Sequence, residues 1–203
     1  MNCDPIARWY ARLEYLGFGS ALERRRNAFL PKVADAKRIL VLGEGDGRFL
    51  VKLVEQNVHA SIDYVDLSAK MLELARARAG DDRVTYRQAN ALDVQLPENE
   101  LDLIVTHFFL DCLNEKQARA LVASLTLAAR PRAQWLISEF RGRSSWARVI
   151  VRLLYLFFRM TTGLRANRLI DHHSMLLKNG WRLEREETER FGLVASELWR
   201  YLP

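Results

Sequence analysis

At 203 residues, 49% of them hydrophobic, the chain has the size of one soluble globular domain with a full core, and no second domain is needed. Its two cysteines, Cys3 and Cys112, are too few for a disulfide framework or a zinc site of their own. With no signal-like start and no apolar run of membrane-spanning length, a reducing, cytoplasmic setting is expected. The formal net charge of +6 leaves nucleic acid, an anionic surface or plain solubility open, so its distribution along the chain matters more than its size.

From Pro5 to Leu30, Ile6, Trp9, Tyr10, Leu13, Leu16, Leu22, Phe29 and Leu30 repeat at helical spacing. This predicts two amphipathic helices broken at Gly17-Phe18-Gly19, with Ser20 as a cap for the second and Arg24-Arg25-Arg26 as a solvated face. Arg38-Ile39-Leu40-Val41-Leu42 then reads as a buried parallel strand that runs into Gly43, Gly45 and Gly47. Glycines at alternate positions let a ligand approach the backbone, and the helix that follows, through Phe49, Leu50, Leu53 and Val54 to Asn57, offers unpaired N–H groups to an anionic group. The spacing is G-x-G-x-G. It is not the G-x-G-x-x-G of dinucleotide-binding proteins, because the sixth position is Arg48 counted from Gly43 and Leu50 counted from Gly45.

The next apolar run, Ser61 to Asp66, ends in an acid and continues Leu67-Ser68-Ala69-Lys70-Met71-Leu72, where Ser68 is placed to cap a helix. With this pair of motifs the chain resembles the class I S-adenosylmethionine-dependent methyltransferases, although Val41 stands where that family often has an aspartate. The resemblance covers Arg38 to Glu139 well and the C-terminal hairpin loosely. It implies a Rossmann-like α/β fold with a seven-stranded, mostly parallel sheet, helices on both faces and a C-terminal antiparallel hairpin. It also implies S-adenosylmethionine as cofactor, with Gly43, Glu44, Gly45 and Gly47 at the methionine part, Asp66 on the ribose and Leu67 beside it. In that family N-terminal helices fold over the cofactor, which would put 1–30 there as a cap and bring Tyr10 or Arg25 towards its carboxylate.

A third strand, Arg83 to Gln88, leads to Ala89-Asn90-Ala91-Leu92-Asp93, where the family usually reads Gly-Asp-Ala. Asn90, Ala91 and Leu92 would then meet the adenine, with the Asn90 amide oxygen accepting from its amine and Asp93 as a second candidate. A fourth strand, Leu101 to Thr106, ends in His107-Phe108-Phe109-Leu110-Asp111, and Asn114 caps the helix after it. Strand ends of this kind hold ligands in open α/β sheets. Thr106 and His107 are therefore expected at the cofactor, and His107, Asp111 and, from a fifth strand, Glu139 are the candidate catalytic residues, with His107 as a base. Arg130 to Ala133 is predicted to turn into that fifth strand, Gln134 to Phe140. No metal is implied.

Between Arg141 and Arg168 seven arginines occur without a carboxylate, interleaved with Trp146, Tyr155, Phe157 and Phe158. The segment 141–170 is expected as a helical insertion over the acceptor side, and a helix at 145–160 would be apolar almost all round. Walling a pocket for a small hydrophobic or aromatic acceptor of quinone-like or lipid-like kind is the expected role, with peripheral membrane contact or an RNA- or DNA-binding surface as alternatives. The strand-four motif of base-modifying relatives is absent from His107-Phe108-Phe109-Leu110, which speaks against nucleic acid. Asp171 then caps a short helix that stops at Gly180, and strands from Trp181 and Leu193 flank Gly192 as a hairpin. The acceptor, the methylated atom and the oligomeric state are left open.

Overall fold

The computed structural model describes Asp4, residues 7–141 and residues 170–203. Its seven strands are β1 (Arg38–Leu42), β2 (Ser61–Asp66), β3 (Val84–Gln88), β4 (Leu101–His107), β5 (Ala129–Phe140), β6 (Trp181–Glu189) and β7 (Val194–Tyr201), in the order β3-β2-β1-β4-β5-β7-β6. Strands β1 to β5 pair in parallel, and β7 runs antiparallel to both β5 and β6. The seven-stranded, mostly parallel sheet with a C-terminal hairpin is the architecture expected from the sequence.

The helices are α1 (Ala7–Phe18), α2 (Ala21–Asn27), α3 (Arg48–Gln56), α4 (Ala69–Ala79), α5 (Glu115–Ala128) and α6 (His172–Lys178). Alternation along the strands divides them between two layers. On one face Ile39, Val41, Ile62, Tyr64, Leu103 and Val105 pack on Phe49, Leu50 and Leu53 of α3 and on Leu72 and Ala75 of α4. On the other, Leu40, Leu42, Ile104, Trp135, Ile137 and Trp199 pack on α5 and α6. Burying each of these side chains stabilises the fold by roughly 1.5–3 kcal/mol, which explains why the central strand β1 is a continuous apolar run. Val41, in the place of the family's aspartate, is completely buried between Tyr64 and Val105.

Local signals position these elements. The Ser68 hydroxyl accepts the Met71 N–H at 3.1 Å and starts α4, while Asn114 and Gln117 form a reciprocal capping box on α5. Asp171 accepts the Ser174 N–H at 3.1 Å to start α6, and Asn57 ends α3. Three expectations change. Ser20 makes no capping bond, because its hydroxyl accepts from Arg24 instead. The arginines of α2 are only in part a solvated face: Arg24 is exposed but pairs with Glu189 of β6, Arg25 is part-buried and pairs with Glu187, and Arg26 is buried. The turn expected at Arg130 to Ala133 is an irregularity inside β5, which follows α5 directly and pairs Ala129 with Leu101 but Gln134 with Leu103, with Arg132 in the left-handed region.

Of the expected insertion at 141–170, residues 142–169, including the arginine-rich stretch, lie outside the described residues, as does the side chain of Tyr10. No helix among the described residues is long and apolar enough to cross a membrane.

Candidate active site

Beyond Leu42 the chain turns through Gly43, Gly45 and Gly47 at φ of 61°, 93° and 81°, a region in which a side chain would be strained. The Gly43 N–H donates to the Val65 carbonyl at 2.9 Å, which ties the turn to the end of β2. A Cβ on Gly47 would lie 2.5 Å from Ala75 Cα, so the missing side chain is what lets α4 pack on the turn. A Cβ on Gly43 would run into the Phe109 ring, which brings the loop after β4 against the turn after β1.

Asp66 ends β2 beside this turn, partly buried, with its carboxylate receiving the Ser68 N–H at 2.8 Å. Burial pushes its pKa from 3.8 up to about 6, against the lowering effect of N–H bonds from Ser68, Gly45 and Leu67. Leu67 is 39% exposed beside it, an apolar surface next to an acid. The Ala89 N–H donates to the Asp66 carbonyl at 3.1 Å and so brings the loop after β3 alongside. There the Asn90 amide donates to Asp93 at 2.9 Å and its oxygen accepts the Leu92 N–H at 3.3 Å, leaving an exposed Asn90 with Ala91 and Leu92 half-buried behind it.

Glu44 and Thr106 turn inward. The Glu44 carboxylate lies under the turn, accepting the Tyr64 hydroxyl at 2.9 Å, and burial pushes its pKa up to about 7. The Thr106 hydroxyl accepts the Trp135 indole N–H at 2.9 Å within the core. Only the backbones of these two residues remain for a ligand.

The candidates at the ends of β4 and β5 are divided between the two faces of the sheet. His107 pairs in register with Ser138, on the α2 side, and its ring packs edge-on against Phe49 at 4.7 Å between centroids. Neither ring nitrogen has a hydrogen-bond partner among the described residues, and burial together with the nearby Arg26 charge holds its pKa well below the ordinary value, so the ring is neutral. Glu139 lies on the other face. Its Oε1 accepts the N–H groups of Phe109 and Leu110 at 3.1 and 2.8 Å and holds the loop that touches Gly43. Burial, and then the neighbouring Asp111, raise its pKa well above the ordinary carboxyl range, while burial pushes Asp111 up to about 6. The two therefore hold a proton on Glu139 and a charge on Asp111 near neutrality. Phe108, at φ 54°, and Phe140 stack at 5.1 Å, and Phe140 meets Phe18 of α1 at 5.3 Å, so aromatic rings line this end of the strands.

An ion network not expected from the sequence ties the N-terminal helices to the turn. Glu14 of α1 receives Arg26 at 2.5 Å and Arg48 of α3, while Asp46 of the turn receives Arg48 at 2.9 Å and Arg78 at 3.1 Å. These contacts join residues of separate helices, which no local spacing announces.

A family model described as a methyltransferase domain matches residues 39–132, from β1 through the irregular start of β5. That match supports a class I S-adenosylmethionine-dependent methyltransferase. The curated relative matched is a demethylmenaquinone methyltransferase of Clavibacter sepedonicus, 32% identical over 105 residues; the match spans 51% of this chain and 41% of that enzyme. Among solved structures, an S-adenosylmethionine-dependent methyltransferase from Mesorhizobium loti superposes with a TM-score of 0.69 at 22% identity, over 90% of this chain and 98% of that one. The 1,6-didemethyltoxoflavin-N1-methyltransferase of Burkholderia thailandensis, solved with 1,6-didemethyltoxoflavin and S-adenosylhomocysteine, gives 0.68 at 14% identity over 98% of this chain and 85% of that one. At these identities the structural matches carry the fold alone.

The family's cofactor is S-adenosylmethionine, and the residues present fit it: a glycine turn that side chains would fill, a partly buried carboxylate at the end of the neighbouring strand, and the exposed Leu67 beside it.

Proposed function

We propose that this methyltransferase moves the methyl group of S-adenosylmethionine to a small hydrophobic or aromatic, quinone-like acceptor. The observation that carries the reading is the meeting of the glycine turn with an aromatic loop: Phe109 lies on Gly43, and its neighbour in sequence, Phe108, meets Phe140. The match to a demethylmenaquinone methyltransferase supports the acceptor class.

In this reading Gly43, Gly45 and Gly47 admit the methionine part, Asp66 accepts from the ribose hydroxyls, and Leu67 and Leu92 cover the adenine beside Asn90. The bound cofactor supplies an electrophilic methyl group on a sulfonium. The chain's own work is alignment, exclusion of water by the aromatic rings, and removal of the acceptor's proton. For that proton the Asp111 carboxylate is better placed electronically than His107, whose ring is held neutral against Phe49. Glu139, protonated and anchored on two N–H groups, orients the loop that carries Asp111.

The test is calorimetric titration with S-adenosylmethionine and, separately, NADH, followed by mass-spectrometric assay of methyl transfer to reduced naphthoquinones, catechols and a short RNA. Micromolar binding of S-adenosylmethionine alone and methylation of the quinone-type or phenolic acceptors are expected. Binding without transfer to any ring acceptor, or transfer to RNA alone, overturns the acceptor assignment.

A further inference from the structure

Three potential metal ligands converge on one point next to the Asp111–Glu139 pair, on the α6 side of the sheet. His172 and His173 are the first two residues of α6, and Glu197 comes from β7, where it pairs in register with Ile137 of β5. The Nε2 atom of His172 lies 3.1 and 3.2 Å from the two oxygens of Glu197, and that of His173 lies 3.1 Å from Oε1. One ligand atom from each of the three lies within 4.8 Å of the others, and His172 and Glu197 are buried. Ligand atoms around a tetrahedral zinc ion at about 2.0–2.1 Å are separated by roughly 3.3–3.4 Å, so two of the three edges are already near the required length.

The hydrogen bonding of the cluster points the same way. Arg141 donates to Glu197 and meets His173 Nε2 at 2.7 Å. The Arg141 guanidinium is the cation that sits against these groups. Arg141 has an alternative anchor in Glu186, also at 2.7 Å, so it can leave without being stranded. The Trp199 indole N–H fixes the second Glu197 oxygen at 2.6 Å, an outer contact of the kind that orients ligating carboxylates.

We propose that His172, His173 and Glu197 bind one divalent first-row transition cation, with zinc the best match to two imidazoles and one carboxylate, and that the cation takes the place of Arg141 on Glu197. Three protein ligands leave a fourth coordination position open.

The full chain, stripped with a chelator and dialysed, is titrated with Zn²⁺ by calorimetry and with Co²⁺ by visible absorption, which reports tetrahedral ligands through its d–d bands. One equivalent with micromolar or tighter affinity is expected. Glu197→Gln, which keeps the acceptor for Trp199, should weaken it at least about 100-fold, as should His173→Ala at the more exposed ligand. Arg141→Ala should strengthen it, because the competing cation is gone. Thermal melting confirms that each variant is folded, and a variant that does not melt cooperatively is replaced by the other ligand variant. Absence of binding in both the parent chain and Arg141→Ala overturns the proposal, as does undiminished binding in folded Glu197→Gln and His173→Ala.

Discussion

Asp66 is asked to do two things that oppose each other, and Asp66→Asn separates them. In the folded chain without cofactor, burial raises its pKa from 3.8 to about 6. At about 1.36 kcal/mol per pH unit this corresponds to about 3 kcal/mol lost from folding once the group is ionised, and residual solvent contact lowers that to about 1–2 kcal/mol. The folded pKa is raised, so the favourable contribution is complete below about pH 4 and disappears as the pH rises through about 6. Asparagine cannot ionise. It keeps one acceptor for the Ser68 N–H and turns its NH₂ towards the other amides, an offset of about 1 kcal/mol that does not depend on pH.

The quantity to read is therefore the pH dependence. Urea unfolding of the two proteins without cofactor at pH 4.5, 6 and 8 should show the stability difference moving in favour of Asp66→Asn by about 1–2 kcal/mol between the first and last. With S-adenosylmethionine at about 100 times its Kd the parent gains about 2.7 kcal/mol. The variant, lacking two charge-assisted bonds to the ribose, binds about 10–100-fold more weakly and gains much less, so the order of stability reverses. Parent affinity should also fall below about pH 6, as the carboxylate takes up a proton and can no longer accept twice. A stability difference that is flat in pH, or equal cofactor affinity in the folded variant, refutes the reasoning.

The turn after β1 and the ends of β2 and α4 were largely legible in the sequence because they are built from local signals. Gly43, Gly45, Gly47, Asp66 and Ser68 each stand at a strand end or helix cap whose chemistry is fixed within a few residues. The ends of β4 and β5 were less so. His107 and Asp111 are four residues apart and read as one loop, yet Phe108 at φ 54° turns the chain between them, and period-two alternation sends His107 and Glu139 to opposite faces. The irregularity in β5 read as an ordinary turn, since Arg130-Pro131-Arg132 has turn composition and only the pairing with β4 shows that the strand has begun. Arg26 read as part of a solvated face, and it is buried against Glu14, which also pairs with Arg48, only because three helices meet. His172 and His173 carried no signal, because their partner Glu197 lies on a strand at the far end of the hairpin.

Gly47→Ala should destabilise the protein by about 3 kcal/mol in urea unfolding, combining left-handed strain with overpacking against the backbone of Ala75; a loss under about 1 kcal/mol would mean that α4 is not packed on the turn as described. At the carboxyl pair, Glu139→Gln imitates the protonated acid: its oxygen still accepts from Phe109 and Leu110 and its NH₂ still faces Asp111, so stability should stay within about 1 kcal/mol of the parent and cofactor affinity should be unchanged. Asp111→Asn should keep cofactor affinity but lower turnover about 100-fold or more, and the parent's turnover should decline as pH falls through about 6, where Asp111 gains its proton. Glu139→Ala, which strands two buried N–H groups, should cost about 2–4 kcal/mol and loosen the loop on Gly43. If instead Glu139→Gln abolishes turnover at full cofactor binding while Asp111→Asn leaves it intact, the roles are reversed, with Glu139 holding the catalytic charge and Asp111 the proton.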